Sequence, residues 1–199
     1  YEYFLNDSRA KAIIVSEPLY KVIEPIRANC KYLKHVIVVG GKDIPNVLDW
    51  KTISDAASPK LDPVDTSPDD AAFWLYSSGS TGFPKGAVHL QRDIPFTAKN
   101  YAEGVLNMTA ADLTFSASKL FHAYGLGNNM TFPYSVGAST VLFPGRPTPD
   151  AIFETVARHK PSLFFSVPTM YAAMLYAATL TTPEEGESKF DFRSVRLCV

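Results

Sequence analysis

The sequence predicts a layered α/β fold, with mostly parallel sheets flanked by helices and one hairpin-like loop rich in glycine and serine. Three observations carry this prediction. Short apolar runs recur along the chain: "KAIIVS" (11–16), "HVIVVGG" (35–41), "LTFSAS" (113–118), "ASTVLFP" (138–144), "SLFFSV" (162–167) and "VRLCV" (195–199). Several are the near-continuous runs expected of strands buried on both faces. Segments with helical periodicity lie between most of them, and that alternation is the mark of parallel α/β layers. Finally, "AAFWLYSS" (71–78) and "GAVHL" (86–90) bracket a Gly/Ser-rich stretch, as two strands bracket a turn.

Taken in order, the first two runs enclose "EPLYKVIEPIRANCKYLK", whose Leu19, Val22, Ile23 and Ile26 fall near helical spacing, with Pro25 as an interruption. Strand, helix, strand suggests a βαβ unit with a right-handed crossover. Residues 54–70 are polar, acidic and Pro-rich, which predicts a surface connection. The expected organisation is a first α/β segment (1–53), this connection (54–70), a loop hairpin with its following helix (71–110) and a second α/β segment (111–199). After the hairpin, Asp93 is the expected N-cap, with Pro95 in the first turn and Ile94, Ala98, Tyr101, Val105 and Leu106 on one face. "AYGLGNNMTFPYSV" reads as a helix punctuated by glycine. Thr148 and Pro149 open the next helix as N-cap and first residue, and Pro168 opens the last.

Composition narrows the function classes. With 199 residues, 46% hydrophobic and 20% charged, the chain can bury a substantial core. A formal net charge of −1 supplies no basic field for nucleic acid or an anionic membrane, and no apolar run reaches the roughly 18 residues of a membrane span. Cys30 and Cys198 stand far apart, with no CxxC and no histidine at metal spacing. That argues against a disulfide framework and a zinc site, and predicts two small buried hydrophobes in a reducing cytoplasm. The opening residues lack an initiator Met and the chain stops on an apolar run, so a piece of something longer is expected.

The stretch "YSSGSTGFPKGAVH" (76–89) carries the most chemistry. Ser77, Ser78, Ser80 and Thr81 offer hydroxyls, and Gly79, Gly82 and Gly86 let backbone N–H groups approach a ligand. Lys85 adds a point charge, with Pro84 fixing the backbone before it. The spacing is neither a Walker A loop nor a dinucleotide fingerprint, because Lys85 leads into a strand rather than a helix. From the residues alone, a phosphate cradle and a solvated turn both remain open. In "FHAYGLGN", the residues alone favour a packed helix start with His122 as a structural histidine, and a site is the alternative. Lys119 is expected at a strand end in solvent, His89 and His159 as structural residues, and Trp50, Trp74 and the "LFF" of 163–165 in the core. Asp69 and Asp70 read as a solvated loop pair.

The whole stretch "YSSGSTGFPKGAVH" resembles the signature of the adenylate-forming superfamily of acyl- and aryl-CoA synthetases, luciferases and peptide-synthetase adenylation domains. "KLFHAYGLGN" and "PSLFFSVPTMYAAML" are similar to its aromatic-site motif and its next strand and helix. Together with "YFLNDSRAKAIIVS", they look most like benzoate-CoA and 4-hydroxybenzoate-CoA ligases. The resemblance implies a fragment of a larger N-terminal adenylation domain. Such enzymes use ATP and Mg2+ to convert a carboxylic acid to an acyl-adenylate and pyrophosphate, then pass the acyl group to a thiol, usually coenzyme A. An adenylating enzyme with another acyl substrate or acceptor thiol, or a non-catalytic folded fragment, is the alternative.

By the same resemblance, Ser77, Ser78, Gly79, Ser80, Thr81, Gly82 and Lys85 close over the β- and γ-phosphates, with Thr81 near the metal and Lys85 catalytic. It also implies that His122 is the catalytic gating aromatic beside the carboxylate, and that Ala123, Tyr124 and Gly125 shape a pocket for an aromatic acid. The benzoate branch tends to place a second Phe where His122 stands, which leaves a hydroxylated or otherwise different aryl acid open. The family's aromatic-Gly-Ser/Thr-Thr-Glu and Thr-Gly-Asp segments, its hinge and its mobile C-terminal domain are not in this sequence. The 199-residue chain alone is therefore expected to release no pyrophosphate, and the rest of the polypeptide is an expected partner.

Overall fold

The computed structural model describes residues 1–78, 82–180 and 190–199. The chain divides into two compact units, Tyr1–Asp65 and Thr66–Val199.

In the first unit, helix α1 (Glu2–Asp7) precedes strand β1 (Ala12–Ser16), helix α2 (Glu17–Ile23) and strand β2 (His35–Val39). β1 and β2 pair in parallel from Ala12 opposite His35 to Ser16 opposite Val39, the βαβ unit predicted from the two apolar runs. Pro25 sits where expected: α2 ends at Ile23 and the chain tightens into a 3-10 segment, Glu24–Asn29. A short strand β3 (Leu48–Asp49) joins β2 in parallel, and Asp49 caps helix α3 (Trp50–Asp55) by accepting from the Thr52 N–H at 2.8 Å. Tyr20, Val36 and Val38 make this unit's core. Trp50 stays outside it, because the first residue after a cap on a short exposed helix has no inner face to occupy.

The second unit opens with strands β4 (Ala71–Ser77) and β5 (Lys85–Leu90), an antiparallel hairpin of two strands. Trp74 is not core here; it lies on the hairpin's outer face opposite Val88. Helix α4 (Asp93–Thr97) begins one residue earlier than predicted, with Arg92 at the N-cap position. Asp93 points its carboxylate back at the hairpin instead of capping forward. The helix then widens into a π segment, Ala98–Glu103, with the Leu106 N–H donating to the Tyr101 carbonyl at 2.9 Å. The extra residue in the turn shifts the phase, so Ala98, Ala102 and Leu106 go inside while Val105 faces out.

Beyond it lies a parallel sheet with strand order β7-β6-β8-β9, formed by β6 (Leu113–Ser116), β7 (Ser139–Val141), β8 (Leu163–Phe165) and β9 (Leu197–Cys198). Helix α5 (Ala123–Leu126), a second π segment (Gly127–Thr131) and α6 (Phe132–Ser135) connect β6 to β7. Helix α7 (Pro149–His159) leads to β8, and α8 (Pro168–Thr179) follows it.

Side chains alternate between the two faces of the sheet. Phe115 and Phe164 pack with Ile152, Phe153, Val156 and Met174 of α7 and α8, whereas Leu163 and Phe165 pack with Ala102, Leu106 and Met108. Helices therefore cover both faces, which is why 163–165 reads as a continuous apolar run. Thr148 caps α7 by accepting from the Ala151 N–H at 3.3 Å, with Pro149 at the first position, as the sequence predicts. Cys30 is buried, but Cys198 is exposed on the edge strand β9.

Candidate functional site

Connection directions single out one edge of this sheet. β6 lies between β7 and β8, and its helical connection runs to β7 on one side, whereas the chain leaving β8 runs to β9 on the other. Neighbouring parallel strands whose connections diverge leave a crevice between their carboxyl ends, the usual ligand site of open α/β sheets. A cleft of about 570 Å³ lies there. It is lined by Ala117, Ser118 and Lys119 after β6, by Pro147 after β7, by Val167 and Met170 after β8, and by His122 and Tyr124. A second cleft, of about 380 Å³, shares Ser118 and Lys119 and adds Phe121, Asn129, Leu142, Phe143 and Pro144.

His122 and Tyr124 are held by different means. The His122 N–H donates to the Lys119 carbonyl at 3.0 Å, its own carbonyl accepts from Leu126 at 2.8 Å, and its imidazole tilts against the Phe121 ring at 4.5 Å. The Tyr124 hydroxyl is directed at the carbonyls of Ser166 (3.2 Å) and Val199 (3.0 Å), and its ring meets Phe165 edge-on. Burial pushes its phenol above the ordinary range, so it acts as a donor and not as a base. Gly125 is buried against Lys119: a Cβ there would stand 2.1 Å from the Lys119 carbonyl oxygen. Only glycine lets the helix approach so closely.

Ala123 faces another way. It lines a cavity of about 160 Å³ with Leu126, Phe132, Phe73, Leu75 and His89, where the hairpin packs on this helix. His122 and Tyr124 are thus brought to one cleft, while Ala123 borders the hairpin and Gly125 supports the backbone between them.

The hairpin places Ser77 directly opposite Lys85, with both side chains exposed and Ser78 exposed beside them. Gly82 takes φ +132° with open space around it, a conformation that requires glycine. Gly86 lies under the Tyr76 ring, 3.1 Å from where a Cβ would sit. Hydroxyls and an ammonium presented outward from a ribbon end suit a polyphosphate. Gly79, Ser80 and Thr81 lie outside the described residues. Among the described residues no group of three His, Cys, Asp or Glu side chains could hold a metal ion.

Two residues near the site carry more than sequence reasoning gave them. Lys119 is not out in solvent: its ammonium donates to the carbonyls of Phe143 and Gly145 and lies 5.0 Å from the Phe143 ring centroid. His89 stacks on Phe73 at 4.8 Å and 12°, with Nδ1 3.2 Å from Asp93 Oδ2, which also accepts the Leu90 N–H at 3.0 Å. The spacing of His89 and Asp93, four residues apart, was the available signal; the stacking needed the strand register.

A parallel sheet with a crevice at its point of diverging connections, flanked by a ribbon packed on helix α5, is the architecture of a ligand-binding α/β domain. The chain belongs to the AMP-binding enzyme family, whose model matches residues 1–199. It is 46% identical to a benzoate–CoA ligase of Thauera aromatica over 187 residues, covering 94% of this chain and 34% of that protein. It is 40% identical to a 4-hydroxybenzoate–CoA/benzoate–CoA ligase of Rhodopseudomonas palustris, covering 100% of this chain and 35% of that protein. The anthranilate CoA ligase AuaEII, in complex with anthranoyl-AMP, has the same fold with a TM-score of 0.90 at 37% identity over 100% of this chain and 37% of that one. The chain thus spans about a third of the length of the curated relatives it matches.

Proposed function

We propose that this chain is the phosphate-gripping and acid-binding part of an ATP-dependent aryl-CoA ligase of the benzoate or hydroxybenzoate type. The observation that carries the reading is the 46% identity to a benzoate–CoA ligase across 187 residues that include both the hairpin and the cleft. On this reading Ser77, Ser78, Gly79, Ser80, Thr81, Gly82 and Lys85 hold the β- and γ-phosphates of ATP. Neutralising the leaving pyrophosphate and fixing it in line is most of what such a transfer requires. Mg2+ would share that charge, with Thr81 beside it.

On the same reading His122, in the cleft wall, is the gate beside the substrate carboxylate, and Tyr124 shapes the acyl pocket directly, while Gly125 acts through the backbone it supports and Ala123 from the hairpin side. The apolar walls of the cleft, with the His122 and Tyr124 rings, suit a flat aromatic acid. Coenzyme A as acceptor is supported by the names of the relatives. A cytoplasmic location belongs to the same reading, supported by two cysteines that are free.

The test is Lys85→Ala in the full-length enzyme, measured by pyrophosphate release with benzoate and the hydroxybenzoates. Removing a charge that stabilises the leaving group should slow release by about 100-fold or more. Unchanged release would overturn the phosphate role.

A further inference from the structure

Lys119 lies between the two clefts and contributes to the walls of both. Its backbone and its side chain are fixed to different walls. The backbone carbonyl accepts the His122 N–H at 3.0 Å and abuts Gly125, where no Cβ could fit, so it is tied to the segment that carries His122 and Tyr124. The ammonium donates to the carbonyls of Phe143 and Gly145, in the loop that runs from β7 to α7 and supplies Phe143, Pro144 and Pro147 to the two clefts. The Phe143 ring lies 5.0 Å from the same ammonium, and Gly145 leaves room for it, since a Cβ there would come within 2.9 Å of the ring.

We infer that Lys119 is a positioning residue that sets the width of the acid cleft by clamping the β7–α7 loop to the His122–Tyr124 segment. A lysine ammonium has three donors and no acceptor, so two carbonyls and a ring face nearly exhaust it. Those carbonyls belong to a loop beyond the β6–β7 pairing, which ends at Phe115 opposite Val141; the Phe143 ring anchors the loop to the core, and the ammonium ties its backbone to the other wall. The ligand class is a flat aromatic carboxylate, for which cleft width decides whether the ring is gripped on both faces. The ammonium's contacts are spent on the loop, so its role is to shape the cleft and not to bind the carboxylate.

This inference rests on the proposed aryl-acid ligase reading, and the experiment separates the two. Full-length wild type, Lys119→Met and Lys119→Arg are assayed for pyrophosphate release over a series of benzoate, 2-, 3- and 4-substituted benzoates, with KM taken separately for acid and for ATP. Lys119→Met is expected to raise KM for benzoate about tenfold and flatten discrimination among ring substituents, with kcat and KM for ATP within about twofold. Lys119→Arg, which keeps charge and two-carbonyl donation, is expected to recover most of the acid affinity. Acid KM and substituent preference unchanged in Lys119→Met would overturn the clamp while leaving the ligase reading intact. Equal rises in KM for acid and ATP would also overturn it, as a general loss of structure. Should the Lys119→Met enzyme be too unstable to assay, Lys119→Gln takes its place, because its shorter neutral side chain cannot reach both carbonyls: altered preference among ring-substituted acids in a normally melting Gln variant supports the clamp, and wild-type preference overturns it. Wild-type enzyme that adenylates none of these acids overturns the ligase reading and the clamp together.

Discussion

Asp112 and Arg196, 84 residues apart, meet in a two-bond carboxylate–guanidinium pair, Nη2 to Oδ2 at 2.9 Å and Nε to Oδ1 at 3.0 Å. Around it, the Ser162 hydroxyl donates to Oδ1 at 2.7 Å and the Thr109 N–H to Oδ2 at 2.8 Å. Arg196 also reaches the carbonyls of Leu106 and Asn107. One carboxylate thus ties together the chain entering β6, β8 and β9, at the sheet edge opposite the cleft.

Replacing Asp112 by Asn should therefore cost stability and spare the cleft. Breaking a buried pair from one side is severe, but Arg196 is partly open to water, so a loss of about 2 kcal/mol is expected in denaturant titration. The pH dependence has a definite sign. The Arg196 guanidinium, assisted by the Ser162 and Thr109 donors, holds the Asp112 carboxyl well below the usual range despite its burial. A depressed folded value means the contribution is full above the unfolded value of about 3.9 and is lost as pH falls further toward the folded one. The Asn variant should lose less stability than wild type between about pH 5 and pH 2.

Gly125→Ala is expected to damage fold and site together. The new methyl would meet the Lys119 carbonyl oxygen at 2.1 Å, a backbone atom already engaged by the His122 N–H. Helix and loop must part, at a cost of about 2–4 kcal/mol. Thermal melting reads the first effect, and KM for the aromatic acid reads the second. A variant with normal melting and normal KM would show that the close approach is dispensable.

His89 and Asp93 should prove coupled in a double-mutant cycle. Asp93 accepts from the Leu90 N–H and faces His89, which stacks on Phe73 of the partner strand, so each residue relies on the other's placement. Single Ala variants and the double variant, compared by denaturation, should give an interaction energy of about 0.5–1 kcal/mol. Both singles should raise KM for ATP more than KM for the acid, because they loosen the hairpin and not the cleft. Strictly additive losses would argue that the two residues act separately.

Much of the fold was legible because its signals are local. The run "SLFFSV" announces a strand covered on both faces, and Thr148-Pro149 announces a helix start whatever lies around it; "HVIVVGG" announces a strand too, but one that buries only Val36 and Val38 and leaves Val39 exposed. What escaped depends on partners distant in sequence. The π turns after Thr97 and Leu126 shift which residues face inward, and no periodicity rule of 3.6 anticipates them. Trp74 is outside because its strand pairs on one side only, in a hairpin of two strands. Of the residues named by motif at the cleft, His122 and Tyr124 come to one place, whereas Ala123 borders the hairpin and Gly125 supports the backbone. Lys119 does follow the end of β6, but its two partners, the carbonyls of Phe143 and Gly145, are backbone atoms that carry no residue signature.

The hairpin is a ribbon fixed at its root, where Phe73 and His89 stack, and presenting Ser77 and Lys85 at its far end. Mechanically that is a cantilever. Four residues at about 3.3 Å each make an arm of about 13 Å, so a tilt of about 5° at the root displaces the far end by about 1 Å. A misplacement of that size can cost a catalytic group about a hundredfold in rate. If the ribbon end grips the phosphates as proposed, substitutions at Phe73, His89 or Asp93 would register as defects in leaving-group chemistry, transmitted by leverage alone.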